Sequence, residues 1–212
     1  LLIVSLKYGA LPGAMDSIRQ VPGENTTVMS LMNGVDSEKL ISDEIGASHV
    51  IYSVIKVASH KEENGYCFNP ETTIGIIFGE PCAPYDSERV QAIEALFADT
   101  GLHYRSTEYI REEMWSKFRL NVCNNLPQAI LGAGVGCYQD SVPSARYSTL
   151  QDLDAGRHTE IDMFSGALVR MGRELGIPTP YNEYTYHMIK ALEEKNDGKF
   201  DYSKEDGEVT CS

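Results

Sequence analysis

Residues 26–45 read TTVMSLMNGVDSEKLISDEI. Thr26 to Met32 is a run of strand length and mostly apolar, the pattern of a strand buried on both faces rather than one with a wet side. Asn33-Gly34 closes it, and a polar helix follows through about Ile45. The same order stands just upstream. LLIVSL at residues 1–6 is a second buried-strand run, followed by a helix-length stretch ending near Gln20. Strand, helix, strand, helix is the rhythm of a parallel sheet covered by helices, so the fold class expected is α/β.

Working outward, residues 48–59 and 73–79 read as two further strands. The polar, turn-rich HKEENGYCFNPE between them suggests an antiparallel hairpin that extends the sheet. SERVQAIEALFADTG is an amphipathic helix closed by Gly101, and LHYRSTE supplies one more short strand. From Tyr109 onward the period is helical. One helix carries Lys117, another is expected from His158 to Leu175, stopped by Gly176 and Pro178, and a last one from Asn182 to about Glu194. The expected division is a sheet-bearing domain over 1–107 and an all-helical domain over 108–212.

Composition narrows the function. The 212 residues carry a formal charge of -13, which argues against nucleic acid or an anionic membrane as the main partner. No apolar run approaches the roughly 20 residues that span a bilayer. The opening LLIVSL is too short for a signal peptide and lacks its basic flank. Acidity collects in EEKNDGKFDYSKEDGEVTCS at the C-terminal end, which reads as a solvated, partly disordered tail. Five cysteines (Cys67, Cys82, Cys123, Cys137, Cys211) form no CxxC pair, so reduced thiols in a cytoplasmic protein are expected. Core packing is the expectation for Cys123. The histidines show no ligand spacing, and no metal is expected.

Chemistry concentrates in EEMWSKFRLNVCNNLPQAI. Lys117, Asn121 and Asn125 recur every four residues, which on an α-helix places an ammonium and two carboxamides on one face. Trp115, Phe118, Leu120 and Val122 supply the apolar surface. The Lys/Asn row can donate to a carbonyl oxygen and orient it, as a small oxo-acid substrate needs; a solvated helix face is the alternative. Lys7 and Asn33 each closely follow an apolar strand, and ligands of open α/β sheets collect at the carboxyl ends of strands. A solvated lysine and an Asn-Gly turn are the alternatives there.

Four segments in order, LLIVSLKYGA, TTVMSLMNGVDSEKL, the Lys117/Asn121/Asn125 row and STLQDLDAGRHTEIDMFSGALVRMGRELGIPTPYN, resemble the ketopantoate reductase family over nearly all of the chain. The resemblance implies a Rossmann-like dinucleotide-binding domain, an all-α substrate domain, and a site in the cleft between them. It implies NADPH-dependent reduction of 2-dehydropantoate (ketopantoate) to (R)-pantoate in pantothenate biosynthesis; the partner expected is a small-molecule substrate, with a homodimer left open. Lys117 matches the family's general acid. Glu160 matches a glutamate that binds the substrate hydroxyl and helps place the lysine. Asn121 and Asn125 match amides that hold the substrate hydroxyl and carbonyl, and Ser148 the serine on its carboxylate. Lys7 and Asn33 match cofactor contacts, Asn33 also facing substrate. A helix-surface Glu160 and a Ser148 that caps a helix are the alternatives from the residues themselves. Asp162 reads as structural.

The chain departs from the family pattern twice. No strand–GxGxxG–helix fingerprint is present, and GAGVG at 132–136 follows the Lys117 helix instead of a strand, so the chain begins as though inside the fold. Between Asn125 and Glu160 the family carries several helices, and about a helical hairpin is absent here. Two other readings stay open: a related NAD(P)-dependent dehydrogenase acting on another small 2-oxo acid, and a non-catalytic ligand-binding remnant.

Overall fold

The computed structural model describes residues 1–21, 23–57, 59–62, 65–71, 73–134 and 146–199. The expected acidic tail beyond residue 199, together with Cys137 and Cys211, lies outside the described residues. The chain divides into two compact units, Leu1–Arg119 and Leu120–Ser212.

The first unit is α/β. Its five-stranded sheet has the order β1 (Leu2–Val4), β2 (Val28–Ser30), β3 (Val50–Lys56), β6 (Gly75–Gly79), β7 (Tyr104–Ser106). β1, β2 and β3 run parallel, joined through α1 (Leu11–Gln20) and α2 (Ser37–Ile45). β6 pairs antiparallel with β3, as the sequence led us to expect, and parallel with β7. Side chains alternate across the sheet. Val28 and Val50 pack with Leu11, Ile18 and Ile41 of the first two helices. Val54 and Ile77, on the same face, meet Ile110 and Met114 of α4 (Ile110–Leu120). Met29, Ile51, Ile76 and Phe78 face the other way, onto Val90, Ile93 and Phe97 of α3 (Glu88–Phe97). Because α4 seats Ile110 and Met114 on the sheet, the first unit takes in this helix almost whole, whereas the boundary expected from sequence, 107/108, stands just before it.

Three expectations are corrected. The segment Leu1–Leu6 is a strand only over Leu2–Val4, and it is not buried on both faces, since Ile3 is 43% exposed. In the described sheet β1 has a neighbour on one side only. The polar stretch after β3 is not merely a turn: Ser59–Glu62 (β4) and Gly65–Phe68 (β5) pair antiparallel as a separate two-stranded ribbon. Cys123 is exposed rather than packed in a core.

One glycine is dictated by the sheet. Gly75 enters β6 at φ +86, and a Cβ there would lie 1.9 Å from the His103 carbonyl oxygen, which accepts from Ile76 N–H at 2.9 Å. Only a residue without a side chain lets β7 close on β6 at that point.

The second unit is all-α among its described residues. It comprises a π-helical turn, Asn121–Asn125, then α5 (Leu126–Leu131), α6 (Ser148–Asp154), α7 (Ser165–Leu175) and α8 (Pro180–Asn196). α8 packs against α7, α5 and α6. Leu126, Ala129, Leu150, Ile161, Met163, Phe164, Ala167 and Ile189 are buried there. Gly132 and Gly176, both left-handed, close α5 and α7.

Candidate active site

Helix α4 buries Ile110, Met114 and Phe118 along one stripe, and Trp115 sits edge-on to Phe118 at 5.5 Å. Lys117 lies beside that stripe, half-buried. Its Nζ donates to Asn33 Oδ1 and to the Ile55 carbonyl oxygen, each at 2.7 Å. Ile55 is the next-to-last residue of β3, and Asn33 lies just past the end of β2. The ammonium is therefore fixed at the carboxyl ends of two adjacent parallel strands, where open α/β sheets collect their ligands. Both of these acceptors are neutral oxygens.

One turn earlier on the same helix row, Glu113 is occupied elsewhere. It pairs with Lys56, the last residue of β3, and with Arg105 of β7. The Lys56 hydrogen bond, helped by Arg105 and opposed by partial burial, holds the Glu113 carboxyl below the usual carboxylate range. Lys7 follows β1 at the same carboxyl edge of the sheet, with its side chain exposed.

Asn121 is 8% exposed and Asn125 is 1% exposed. The sequence led us to expect a regular α-helix through both. Instead the Leu126 N–H reaches back to the Asn121 carbonyl, the wider i→i+5 closure of a π turn, so the α-helical spacing that suggested one row does not hold through this stretch. Asn125 Nδ2 donates to Ser148 Oγ at 3.1 Å, and its Oδ1 accepts from Thr149 N–H at 3.2 Å. Gln128 Oε1 accepts from Tyr147 N–H at 2.6 Å. Asn125 and Gln128 thus satisfy amides at the start of α6 that the helix itself leaves open. Ser148 is the first residue of α6 and not its N-cap; that position is Tyr147, with no side-chain cap bond. The structure brings Asn125 and Ser148 together; sequence reasoning missed Gln128, whose partner lies far along the chain.

Glu160 is not on a helix. The helix expected from His158 starts only at Ser165, and Glu160 sits in a tight turn whose carbonyl accepts from Met163 N–H at 3.0 Å and Phe164 N–H at 3.3 Å. Glu160 is buried, 6% exposed, as are Ile161, Met163 and Phe164 of the same turn. Two residues on, Asp162 ties the turn to α8 by accepting from Tyr186 OH at 2.7 Å and Lys190 Nζ at 2.8 Å. Burial opposes its ionisation, but the Lys190 and Tyr186 hydrogen bonds outweigh that and hold the Asp162 carboxyl low.

A mixed sheet with helices on both faces, continued into an all-α unit, defines the class: a Rossmann-like domain followed by a helical domain. Comparisons with known proteins agree. The profile described as "Ketopantoate reductase PanE/ApbA" matches residues 1–77, and "Ketopantoate reductase PanE/ApbA C terminal" matches residues 137–193. A 2-dehydropantoate 2-reductase of Aquifex aeolicus (strain VF5) is 24% identical over 237 residues, covering 91% of this chain and 76% of the relative. That span exceeds the 212 residues present here, so the relative carries residues within the matched region that have no counterpart in this chain. Among solved structures, a PanE/ApbA family ketopantoate reductase from Ralstonia eutropha JMP134 superposes with a TM-score of 0.73 at 23% identity, covering 92% of this chain and 76% of that one. A D-mandelate dehydrogenase in ternary complex with NADH and anilino(oxo)acetate gives 0.76 at 17% identity, covering 93% and 78%. The chain belongs to the ketopantoate reductase family.

Proposed function

We propose that this chain reduces ketopantoate to (R)-pantoate with NADPH, Lys117 serving as the general acid. The observation that carries the reading is the Lys117 ammonium held at the carboxyl ends of β2 and β3 by Asn33 and the Ile55 carbonyl. Reduction of a 2-oxo acid adds hydride to the carbonyl carbon while negative charge grows on the oxygen. A fixed cation within hydrogen-bond reach stabilises that charge, and its proton completes the alcohol. Asn33, by accepting from the ammonium, aims it and keeps it from swinging into solvent.

The donor set at this edge of the sheet suits a nicotinamide dinucleotide. Lys7 brings a cation for a phosphate, and the Asn33 amide brings both a donor and an acceptor, each just past the end of a parallel strand. When bound, NADPH supplies the hydride. The remaining work falls to this chain's side chains. In the second unit we assign Asn121 and Asn125 to the substrate's hydroxyl and carbonyl, Ser148 to its carboxylate, and Glu160 to its hydroxyl. Asn125 and Ser148 already hold one another, so their hydrogen-bonding atoms are set in place before substrate arrives.

This assignment of Glu160 predicts a binding defect. Glu160→Ala is expected to raise the KM for ketopantoate roughly tenfold or more, the scale of a hydrogen bond to a charged group, with a smaller change in kcat. Steady-state kinetics checks it, and an unchanged KM would remove Glu160 from the role.

The likeness to D-mandelate dehydrogenase motivates a second reading, an NAD(P)-dependent dehydrogenase for another small 2-oxo acid. A panel separates the two: kcat/KM for ketopantoate, pyruvate and phenylglyoxylate, each with NADPH and NADH. The proposal expects ketopantoate with NADPH to stand first. A higher value for either other acid would transfer the chain to the second reading, and a higher value for ketopantoate with NADH than with NADPH would overturn the choice of NADPH.

A further inference from the structure

Glu193 lies near the end of α8 and is 2% exposed. A carboxylate so deep is costly unless it is paired and fully hydrogen-bonded. Its Oε1 accepts from the Thr159 backbone N–H at 2.7 Å and from Thr159 Oγ1 at 2.6 Å. Its Oε2 accepts from Lys190 Nζ at 3.2 Å, with His158 Nδ1 at 3.5 Å. The charge also sets the polarity of the next bond. A carboxylate only accepts, so the Thr159 hydroxyl must donate to it, which turns the hydroxyl's lone pairs toward the Ile161 N–H, 3.2 Å away. The residue before Glu160 is thus tied to Glu193 twice, and the residue after it once through the threonine. Lys190 extends the same grip by holding Asp162.

We propose that Glu193 is a positioning residue: it clamps both neighbours of Glu160 and so fixes where the Glu160 carboxylate meets substrate. The inference rests on the reading of Glu160 as a substrate-binding group. A merely structural Glu193 would lower stability when removed and leave substrate affinity alone. A clamp acts on KM through Glu160, and only while Glu160 is present.

The test compares the full chain with Glu160→Ala, Glu193→Ala, Glu193→Gln, Thr159→Val, and the double variant of Glu160→Ala with Glu193→Ala. Glu193→Ala and Thr159→Val should each raise the KM for ketopantoate several-fold, with kcat and the KM for NADPH little changed. Glu193→Gln retains an acceptor for both Thr159 bonds and should restore most of the affinity. In the Glu160→Ala background, Glu193→Ala should add nothing, because the residue it positions is gone. Additive losses in the double variant, or a wild-type KM in both single variants, would overturn the clamp. A KM unmoved by Glu160→Ala is a different result: it sinks the role of Glu160 and the clamp's purpose with it. Amide hydrogen exchange gives a readout independent of turnover and of the alanine variant's stability. Ile161 should lose protection in Thr159→Val and keep it in Glu193→Gln, while the amide at 159, whose bond to Glu193 does not use the hydroxyl, should stay protected in both; unchanged protection at Ile161 in Thr159→Val would overturn the relay.

Discussion

Replacing Lys117 by alanine is expected to lower kcat/KM for ketopantoate by about 10²–10⁴-fold, the range that a positioned general acid contributes. Two losses combine in that figure. The growing negative charge on the substrate oxygen loses its fixed cation, and the alcohol loses its nearest proton source. The fold should survive, because alanine is the best helix former and Lys117 lies beside, not within, the buried stripe of Ile110, Met114 and Phe118. Lys117→Arg sharpens the point. Arginine keeps the charge but does not give up its proton in proteins, and its wide planar head does not fit a donor that must serve Asn33 Oδ1 and the Ile55 carbonyl at 2.7 Å each. It should recover little activity. Steady-state kinetics with circular dichroism as a folding control measures this, and a loss of less than about tenfold would take Lys117 out of its role.

The second large effect concerns stability. Glu38, in the first turn of α2, is 1% exposed, and burial pushes its carboxyl up to about 7. Hydrogen bonds moderate the shift: Ser37 Oγ donates to Glu38 Oε2 at 3.0 Å and lies 2.8 Å from Ser30 Oγ. The direction of the pH dependence follows. With the folded value raised above the ordinary 4.5, the folded chain holds this proton longer than the unfolded chain does. The stability so contributed is full below pH 4.5 and is lost as pH rises through about 7. Glu38→Gln removes that titration. Above the folded value it should therefore gain up to roughly 3 kcal/mol over wild type, and show little advantage in acid. Melting temperatures of the two proteins across this range test it. A difference that does not grow with pH would contradict the buried, proton-holding carboxyl.

Legibility in the sequence followed the range of the forces involved. The strand–helix alternation was readable because each element announces itself locally: Val28, Met29 and Ser30 are buried on both faces, as a continuous run requires. Burial of β1 was misjudged because its six-residue apolar run says nothing of whether a second neighbour stands beside it. The ribbon of β4 and β5 was hidden because Ser59–Glu62 is polar, Gly65–Phe68 is only four residues long, and an antiparallel backbone register is not announced by composition. Around Glu160, the spacing of Ile161, Phe164 and Leu168 imitates a helix. The backbone at Phe164 (φ -91, ψ -95) is not helical, and α7 begins only after it.

The site divides in the same way. Lys117 and Asn33 were readable from residue type and place, but the Ile55 carbonyl that completes the ammonium's setting belongs to the backbone and leaves no trace in composition. Asn125 and Ser148 were both named, and their contact across 23 positions joins them. Gln128 and Glu193 were passed over because a glutamine or glutamate on a helix is ordinarily solvated. Only tertiary structure shows that Glu193 is buried against Thr159, across 34 positions.

The central claim is hydride transfer from NADPH to ketopantoate, and isotope tracing tests it most directly. The protein is supplied with NADPH deuterated at the transferring position of the nicotinamide, together with ketopantoate, and the pantoate formed is weighed by mass spectrometry. The account predicts pantoate that carries the deuterium at the carbon bearing the new hydroxyl. Absence of pantoate, or pantoate without the label, would contradict it.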